Sequence, residues 1–428
     1  MYNFFNRATN LLITLIPISM IIGNTVTNSL IILICILGLI NYKTSIFNTE
    51  KNNYIFFIFI YVFFFYLIFI TTVNNYNKLD LQNPLYKEHI LKSIFYLRFL
   101  ILFLVINKIC ETKNFNYKLF FIVSFIASLV VALDVIFQFI FEKNITGKVI
   151  VLNRPSSFFG SENIAGSWLQ KYSLFSIFLF TYYKKTNKDI ISLLFFSIFS
   201  IAILLSANRM ACLIYFSSIM LFYIFEKKFK ILIFFILFTF FSLGFVIKIL
   251  PNTHYLNNTV LGFFHYSKRI ITMAPNLFYN NKVGDQTFIE FGGSGYLITF
   301  NSGVQLWKKN KIFGSGLKSF RLNCKYGNNQ TCNTHPHNYT IEIMLEMGLL
   351  GLFLIYSIFF ISFKNYFRNC FFTKNNTLKV YSLPFFLILF FEIFPIRSTG
   401  SFFTTSNSVV IFLFLSIFIN SIHQKNYK

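Results

Sequence analysis

Long, nearly continuous apolar runs dominate this chain and limit the folds open to it. A membrane-spanning helix needs about 20 apolar residues, and most of the runs approach that length. Barrel strands are shorter and alternate polar with apolar residues, so they fit poorly. Because 55% of the 428 residues are hydrophobic and only 12% are charged, one soluble core could not bury this surface. The runs predict an all-α polytopic membrane protein.

About twelve membrane-spanning helices are predicted. The count is open by one or two, because the second run is short and the seventh and eighth nearly merge. The first run leads into the next without a small-residue cleavage site, so it is expected to stay as the first helix. The predicted spans are 8–23, 26–42, 53–73, 89–109, 117–141, 163–183, 189–206, 208–225, 230–250, 338–363, 377–396 and 403–422.

One long polar segment, residues 251–337, separates the ninth and tenth predicted helices. It is rich in Asn, Gly and Ser, which predicts short helices mixed with irregular chain. It divides the chain into an N-terminal bundle of about nine helices at 1–250 and a C-terminal part at 338–428. That part holds about three helices and a short tail.

The basic residues fall mostly in the short gaps between apolar runs, which indicates membrane topology and not nucleic-acid binding. With the N-terminus inside, the inner gaps carry more than twice as many Lys and Arg as the short outer gaps. Because positive residues favour the cytoplasmic side, both termini are predicted to be cytoplasmic and the long loop to lie outside.

The six cysteines are scattered and contain no Cys-x-x-Cys pair, so the sequence predicts no metal site. Cys324 and Cys332 share the long polar loop. Two readings stay open for them, a disulfide in an oxidising compartment and two free thiols.

Three of the few arginines, Arg154, Arg209 and Arg397, fall at the outer membrane edge in this topology. A guanidinium presents a planar donor fork that matches phosphate oxygens, so these residues are candidates for binding a phosphate or diphosphate headgroup. The alternative is that each reaches only to lipid phosphate. Arg154 opens "RPSSFFGSENIAGSW", in which Asn163 lies near a helix start, and Arg209 lies at a predicted hairpin.

The stretch "HPHNYTIEIMLEMGLLG" places His337 at the head of the tenth helix, where Asn338 can act as the N-cap. Imidazole can take a proton from a hydroxyl group or donate to a phosphate, so His337 is a candidate catalytic residue. An ordinary headgroup contact is the alternative. On a continuous helix His337 and Gly348 would share one face, and Gly348 and Gly351 would allow close helix packing.

Two carboxylates follow on the same helix, Glu342 and Glu346, and a carboxylate inside a membrane is costly. They are either buried partners of basic groups or part of the lining of a polar cavity. The other histidines of the loop, His254, His265 and His335, are expected to make only ordinary headgroup contacts.

The histidine segment resembles the O-antigen ligase superfamily of bacterial membrane glycosyltransferases. That family shows His followed by Asn, Ser or Gln, then nine residues, then Gly-x-x-Gly. Here His337 and Asn338 are followed by nine residues and then by "GLLG", from Gly348 to Gly351. The match has no gap, and its place after a long loop also resembles the family.

Three further segments resemble the family in the same order along the chain. "RPSSFFGSENIAG" is similar to its Arg-Pro segment, with Glu162 in place of the usual Pro. "SANRMACL" is similar to its Ser-Arg-Gly-Ala segment, with Asn208 and Met210 as departures. "WKKNKIFGSGLKSF" is similar to a Trp and Phe-Gly-x-Gly stretch late in the loop.

The resemblance implies a metal-independent O-antigen ligase in the bacterial inner membrane, with the long loop and the active site facing the periplasm. Such an enzyme moves a glycan from undecaprenyl diphosphate to a lipid A-core hydroxyl and needs no cofactor. Arg154 and Arg209 would then bind the diphosphate. His337 would activate the acceptor hydroxyl or orient the phosphate. The supporting candidates are Asn338, Asn163, Arg397 and Glu346.

Two rival functions stay open. An O-antigen polymerase would use the same donor to extend another lipid-linked glycan, and related enzymes transfer glycans to proteins. An Arg-x10-Gly pattern associated with some polymerases is absent, which favours the ligase. A flippase for lipid-linked sugars would suit twelve helices. No two halves of the chain show corresponding broken helices, however, and transport gives no role to His337.

Overall fold

A computed structural model describes residues 2–48, 54–76, 84–150, 154–160, 162–178, 188–249, 295–323, 334–371 and 376–423. Helices make up 81% of the structure, and these ranges contain no strand apart from one isolated bridge between Lys143 and Val149. The all-α prediction is therefore confirmed. Cys324, Cys332, His254 and His265 lie outside the described residues, so the predictions about them remain untested.

Within the described residues, eleven helices precede the described part of the long loop. They are α1 (Tyr2–Thr14), α2 (Ile16–Ile22), α3 (Asn24–Tyr42), α4 (Tyr54–Tyr76), α5 (Leu85–Phe95), α6 (Leu97–Glu111), α7 (Tyr117–Phe141), α8 (Ala165–Tyr172), α9 (Lys188–Leu205), α10 (Arg209–Phe225) and α11 (Phe229–Ile249).

Five helices follow within the described ranges. They are α12 (Gly295–Trp307) and the short α13 (Ser319–Asn323) in the loop, then α14 (Tyr339–Tyr366), α15 (Asn376–Glu392) and α16 (Thr405–His423). The expectation of short helices within the loop is met by α12 and α13. Short 3₁₀ turns at Lys43–Phe47, Ser157–Phe159 and Ser173–Phe175, and a π turn at Phe367–Phe371, extend or join these elements.

Six stretches in the described ranges are long and apolar enough to cross a membrane, or seven if a pair bent by 48° counts as one span. The bent pair is Phe4–Thr14 with Ile16–Ile22. All seven coincide with predicted spans, whereas four further predicted spans are shorter apolar helices, so the count of twelve stays a prediction. The six long stretches are Asn24–Phe47, Tyr54–Tyr76, Leu85–Glu111, Tyr117–Phe141, Tyr339–Cys370 and Thr405–Ile422.

The chain divides into two compact units. The first comprises Met1–Asn10, Asn28–Phe115 and Asn281–Lys428. In it α16 packs along α6, and α14 packs along α4. Asn420 Nδ2 on α16 donates to Asn107 Oδ1 on α6 at 2.7 Å, and Ser416 Oγ donates to the Phe103 carbonyl at 2.9 Å. Polar groups buried in an apolar bundle are thus paired across the helices.

The second unit comprises Leu11–Thr27 and Asn116–Asn280. Helix α9 packs against α7 and α11, and the short helix α8 packs against α10. Tyr172, Phe175 and Trp168 are buried aromatic residues of this unit, and the Trp168 and Tyr172 rings stack with centroids 4.7 Å apart. Burial of such large side chains fixes the short helix α8 although it has only two turns.

Candidate functional site

His337 lies directly before α14, in the first unit. Asn338 is the N-cap of this helix, because its Oδ1 accepts a hydrogen bond from the Ile341 N–H at 2.9 Å. The predicted cap is therefore confirmed. His337 itself has a left-handed backbone, with φ 55°, which L-residues rarely adopt. The turn before the helix consequently sets the direction of the imidazole.

The turn between α15 and α16 holds this segment in place. Asn338 Nδ2 donates to the carbonyls of Pro395, at 2.7 Å, and Arg397, at 3.0 Å. The Thr399 N–H donates to the His337 carbonyl at 2.8 Å. Three hydrogen bonds from a distant part of the chain therefore fix the backbone that carries the histidine.

Arg397 anchors that turn from within. Its Nη1 lies 3.0 Å from Glu392 Oε1 and donates to the Phe391 carbonyl at 2.9 Å. Both side chains of the ion pair are nearly fully buried. The guanidinium is thus committed to partners inside the unit, and Arg397 supports the His337 segment through the turn.

A second histidine stands beside the first. The His335 and His337 rings have centroids 4.1 Å apart. Burial lowers the pKa of His335 to about 3, with smaller contributions from His337 and the Lys318 ammonium. Burial likewise lowers the pKa of His337 below its usual 6.5. Both rings are therefore neutral at pH 7, and a neutral imidazole can accept a proton.

A loop from residue 311 to residue 319 docks onto a break in α14. Gly348, within the helix, has φ 68° and ψ −169°, and a Cβ there would collide with the Ile312 carbonyl. The Ser315 N–H donates to the Leu345 carbonyl at 2.9 Å, and the Gly316 N–H donates to the Glu346 carbonyl at 2.8 Å. The loop thus supplies donors for helix carbonyls that the break leaves open.

The break corrects one expectation from the sequence. A continuous helical face from His337 to Gly348 was predicted, and Gly348 was expected to serve helix packing. Instead, Gly348 leaves the helical conformation, and its close neighbour is the loop. The first segment of α14, residues 339–347, is therefore fixed by the loop, and it carries the histidine at its head.

The two carboxylates of α14, Glu342 and Glu346, are both buried. Glu342 accepts hydrogen bonds at 2.6 Å from Ser401 Oγ and from the Phe402 N–H. Glu346 accepts from the backbone N–H of Lys318. Glu346 Oε2 is buried without a hydrogen-bond partner among the described residues. Whether the two carboxylates pair with basic groups or line a polar cavity stays a prediction.

Lys318 was missed by sequence reasoning. Its Nζ donates to Ser401 Oγ at 3.4 Å, and its charge acts on His335 and on both buried carboxylates. The available signal was its position directly after the "GSGL" turn, but the partners come from α14 and the 401–402 turn, far away in sequence. Such a grouping is visible only in the folded chain.

Arg209 lies in the second unit, as the first residue of α10. The preceding Asn208 is the N-cap, with Oδ1 accepting from the Ala211 N–H at 3.2 Å and Nδ2 donating to Ser167 Oγ at 2.7 Å. Gly166 packs so closely on this turn that a Cβ would collide with Ser206 Oγ. The "ENIAGSW" and "SANRM" segments therefore meet, and the predicted hairpin around Arg209 is confirmed.

Arg154 is exposed and belongs to a loop that a buried network holds to α7. Asp134, fully buried, accepts from the Ile145 N–H at 2.9 Å and from Ser157 Oγ at 2.5 Å. Gln138 Oε1 accepts from the Ser157 N–H at 2.7 Å. Sequence reasoning missed this anchor, although a lone carboxylate within an apolar run was a signal for it.

Asn163, the remaining candidate, is half-buried shortly before α8. Its Oδ1 is buried and has no hydrogen-bond partner among the described residues. The helix cap is Ile164, so Asn163 does not cap α8. The side chain keeps acceptor capacity that a substrate group could use.

Comparison with known proteins adds one positive finding. Residues 193–356 match the family model described as O-antigen ligase. This confirms the resemblance to the O-antigen ligase superfamily. No curated protein matches the chain. The match supports a membrane glycosyltransferase of the O-antigen ligase or polymerase type.

The O-antigen ligase match includes the segments around Arg209, Lys318 and His337, while Arg154 and Arg397 lie outside it. Within the described ranges, no group of three or more His, Cys, Asp or Glu side chains could hold a metal ion. Catalysis without a metal ion stays a prediction.

Proposed function

We propose that this protein transfers an O-antigen glycan from undecaprenyl diphosphate to a hydroxyl group of a lipid A-core acceptor, at the periplasmic face of the inner membrane. The observation that carries the proposal is His337, a neutral imidazole held in a fixed turn at the head of α14. It lies in the segment whose spacing and family match point to glycan transfer.

In the proposed reaction His337 takes the proton of the acceptor hydroxyl. The acceptor oxygen attacks the anomeric carbon of the donor glycan, and the bond from that carbon to the diphosphate oxygen breaks. The electron pair leaves with undecaprenyl diphosphate, and the configuration at the anomeric carbon is inverted. A base that is neutral at the working pH favours the first of these changes.

Arg154 and Arg209 are proposed to bind the diphosphate. Negative charge grows on the bridging phosphate oxygen as the bond breaks, so a fixed guanidinium stabilises the transition state more than the bound donor. Two features support these assignments. The capped turn fixes the position of Arg209, and the Asp134 network anchors the loop of Arg154.

The test is complementation of a ligase-deficient bacterium. Wild type should restore glycan-capped lipopolysaccharide on a gel, whereas His337→Gln and Arg209→Ala, at equal expression, should leave the lipid-linked glycan unused. Arg368→Ala is the matched control, because Arg368 is exposed in the π turn after α14. Longer lipid-linked chains made by wild type would instead indicate a polymerase.

A further inference from the structure

Lys318 is a charged residue of the first unit to which the reaction above gives no role. The turn between α15 and α16 links it to the histidine segment, because Lys318 Nζ donates to Ser401 Oγ at 3.4 Å and the Thr399 N–H of the same turn donates to the His337 carbonyl at 2.8 Å. Lys318 is half-buried. A half-buried cation linked to a candidate catalytic residue is expected to have a structural or functional role.

Compensation of the buried carboxylates is the first reason to consider. Glu342 already accepts from Ser401 and from the Phe402 N–H, and Glu346 accepts from the backbone N–H of Lys318. Within the described residues, no carboxylate oxygen lies within the 4.0 Å of an ion pair to Lys318 Nζ. Glu342 thus holds the 401–402 turn and Glu346 holds the loop, and the ammonium makes no contact ion pair among the described residues.

The Lys318 ammonium has more hydrogen-bond donors than it uses among the described residues. It carries three donors, and among the described residues it donates to one acceptor, Ser401 Oγ at 3.4 Å. The backbone of Lys318 is left-handed, with φ 62°, and the hydrogen bond to Glu346 holds it there. The backbone that carries the ammonium is therefore held in one conformation.

The contact that the ammonium already makes indicates the kind of ligand. Its one acceptor among the described residues is a hydroxyl oxygen, Ser401 Oγ at 3.4 Å. A neutral hydroxyl group is a good fit, because its oxygen can accept a hydrogen bond from the ammonium. Adjacent hydroxyl groups of the same sugar can then contact His335 and His337. We propose that Lys318 binds a sugar hydroxyl of the acceptor beside His337. This inference rests on the proposed transferase function.

Kinetics of the purified protein separate the two substrates. Lys318→Gln should raise the KM for a lipid A-core acceptor about tenfold or more, as expected for loss of a charged hydrogen bond, and leave the KM for the undecaprenyl-linked donor within about twofold. Lys309→Gln, a change at an exposed lysine just before the loop, should behave as wild type. An unchanged acceptor KM, or a raised donor KM instead, overturns the inference.

A binding measurement keeps the inference testable if Lys318→Gln does not fold. In Lys318→Gln/Glu346→Gln the cation and a neighbouring carboxyl are replaced together by near-isosteric amides. Soluble core oligosaccharide should bind wild type and bind the double variant about tenfold or more weakly, at similar thermal unfolding temperature. Equal binding by both proteins contradicts the inference. Absence of any transfer by wild type would instead contradict the proposed function.

Discussion

At the residue scale, eight of the described residues other than glycine have a left-handed backbone, with φ between 48° and 62°. Four of them, His337, Lys318, Ala207 and Ser157, each lie in one of the four segments that resemble the ligase superfamily. The left-handed conformation costs about 1–2 kcal/mol for an L-residue, so each must be held by its surroundings. Hydrogen bonds to Thr399, Glu346 and Asp134 hold three of them.

The neutral state of His337 predicts the pH dependence of transfer. Its pKa lies below 6.5, so the imidazole keeps its basic form at and above that pH. The transfer rate should therefore be flat from about pH 7 upward and fall on acidification only below about pH 6.5. Measurements of the transfer rate across pH 5–8 check this. His337→Gln should be slow at every pH and should lack the fall of the rate in acid. A fall of the wild-type rate centred above pH 7 would contradict the assignment.

His335 predicts a loss of stability in acid. Its pKa is about 3 in the folded chain against an ordinary 6.5, so below pH 6.5 the unfolded chain binds a proton that the folded chain excludes. Stability should fall from pH 6.5 towards pH 4.5 by about 1 kcal/mol from this group, after allowance for solvent screening. Thermal unfolding in detergent should show a smaller fall for His335→Gln. An equal fall in both proteins would contradict it.

At the element scale, the break in α14 is the place where the 311–319 loop docks onto the helix. Gly348→Ala would place a Cβ against the Ile312 carbonyl at a left-handed position. We expect a loss of about 2 kcal/mol or more in stability and loss of transfer, because the loop can no longer dock. Gly244→Ala is the control, since nothing lies within 4 Å of a Cβ there. Thermal unfolding measures the loss of stability, and a transfer assay measures the loss of activity. Wild-type behaviour of Gly348→Ala would show that this docking is dispensable.

The Asp134 network predicts a second effect at this scale. Asp134→Ala removes the acceptor for Ser157 Oγ and the Ile145 N–H, which should cost about 2 kcal/mol and weaken donor binding by loosening the Arg154 loop. Ser128→Ala is matched to it, because Ser128 Oγ donates only within α7, to the Ser124 carbonyl. Unfolding temperature and donor KM are the readouts. Similar values for both variants would argue against the anchor.

These elements also show what the sequence could predict. Continuous apolar runs located α4, α7 and α16, because burial in lipid needs length and apolarity alone. The Asn338 cap was predictable because capping is local. The break at Gly348 and the position of Lys318 were not, because both depend on a loop meeting a helix from elsewhere in the chain. Arg397 was seen as a cation, but its partner Glu392 made it an internal anchor.

At the scale of the whole molecule, topology is the open prediction. The excess of basic residues in the inner gaps predicts a cytoplasmic C-terminus and a periplasmic 251–337 segment. A fluorescent protein fused after Lys428 should be fluorescent, and alkaline phosphatase inserted between residues 260 and 290 should be active. The reversed pattern would place His337 on the cytoplasmic side and contradict the proposed reaction.

The most direct test of the central claim is transfer by the purified protein in proteoliposomes, from undecaprenyl-diphosphate-linked glycan to lipid A-core. We expect wild type to form glycan-capped core, and His337→Gln to be slower by about 10² to 10⁴-fold with unchanged donor binding, as for loss of a general base. Transfer by His337→Gln at the wild-type rate would contradict the account.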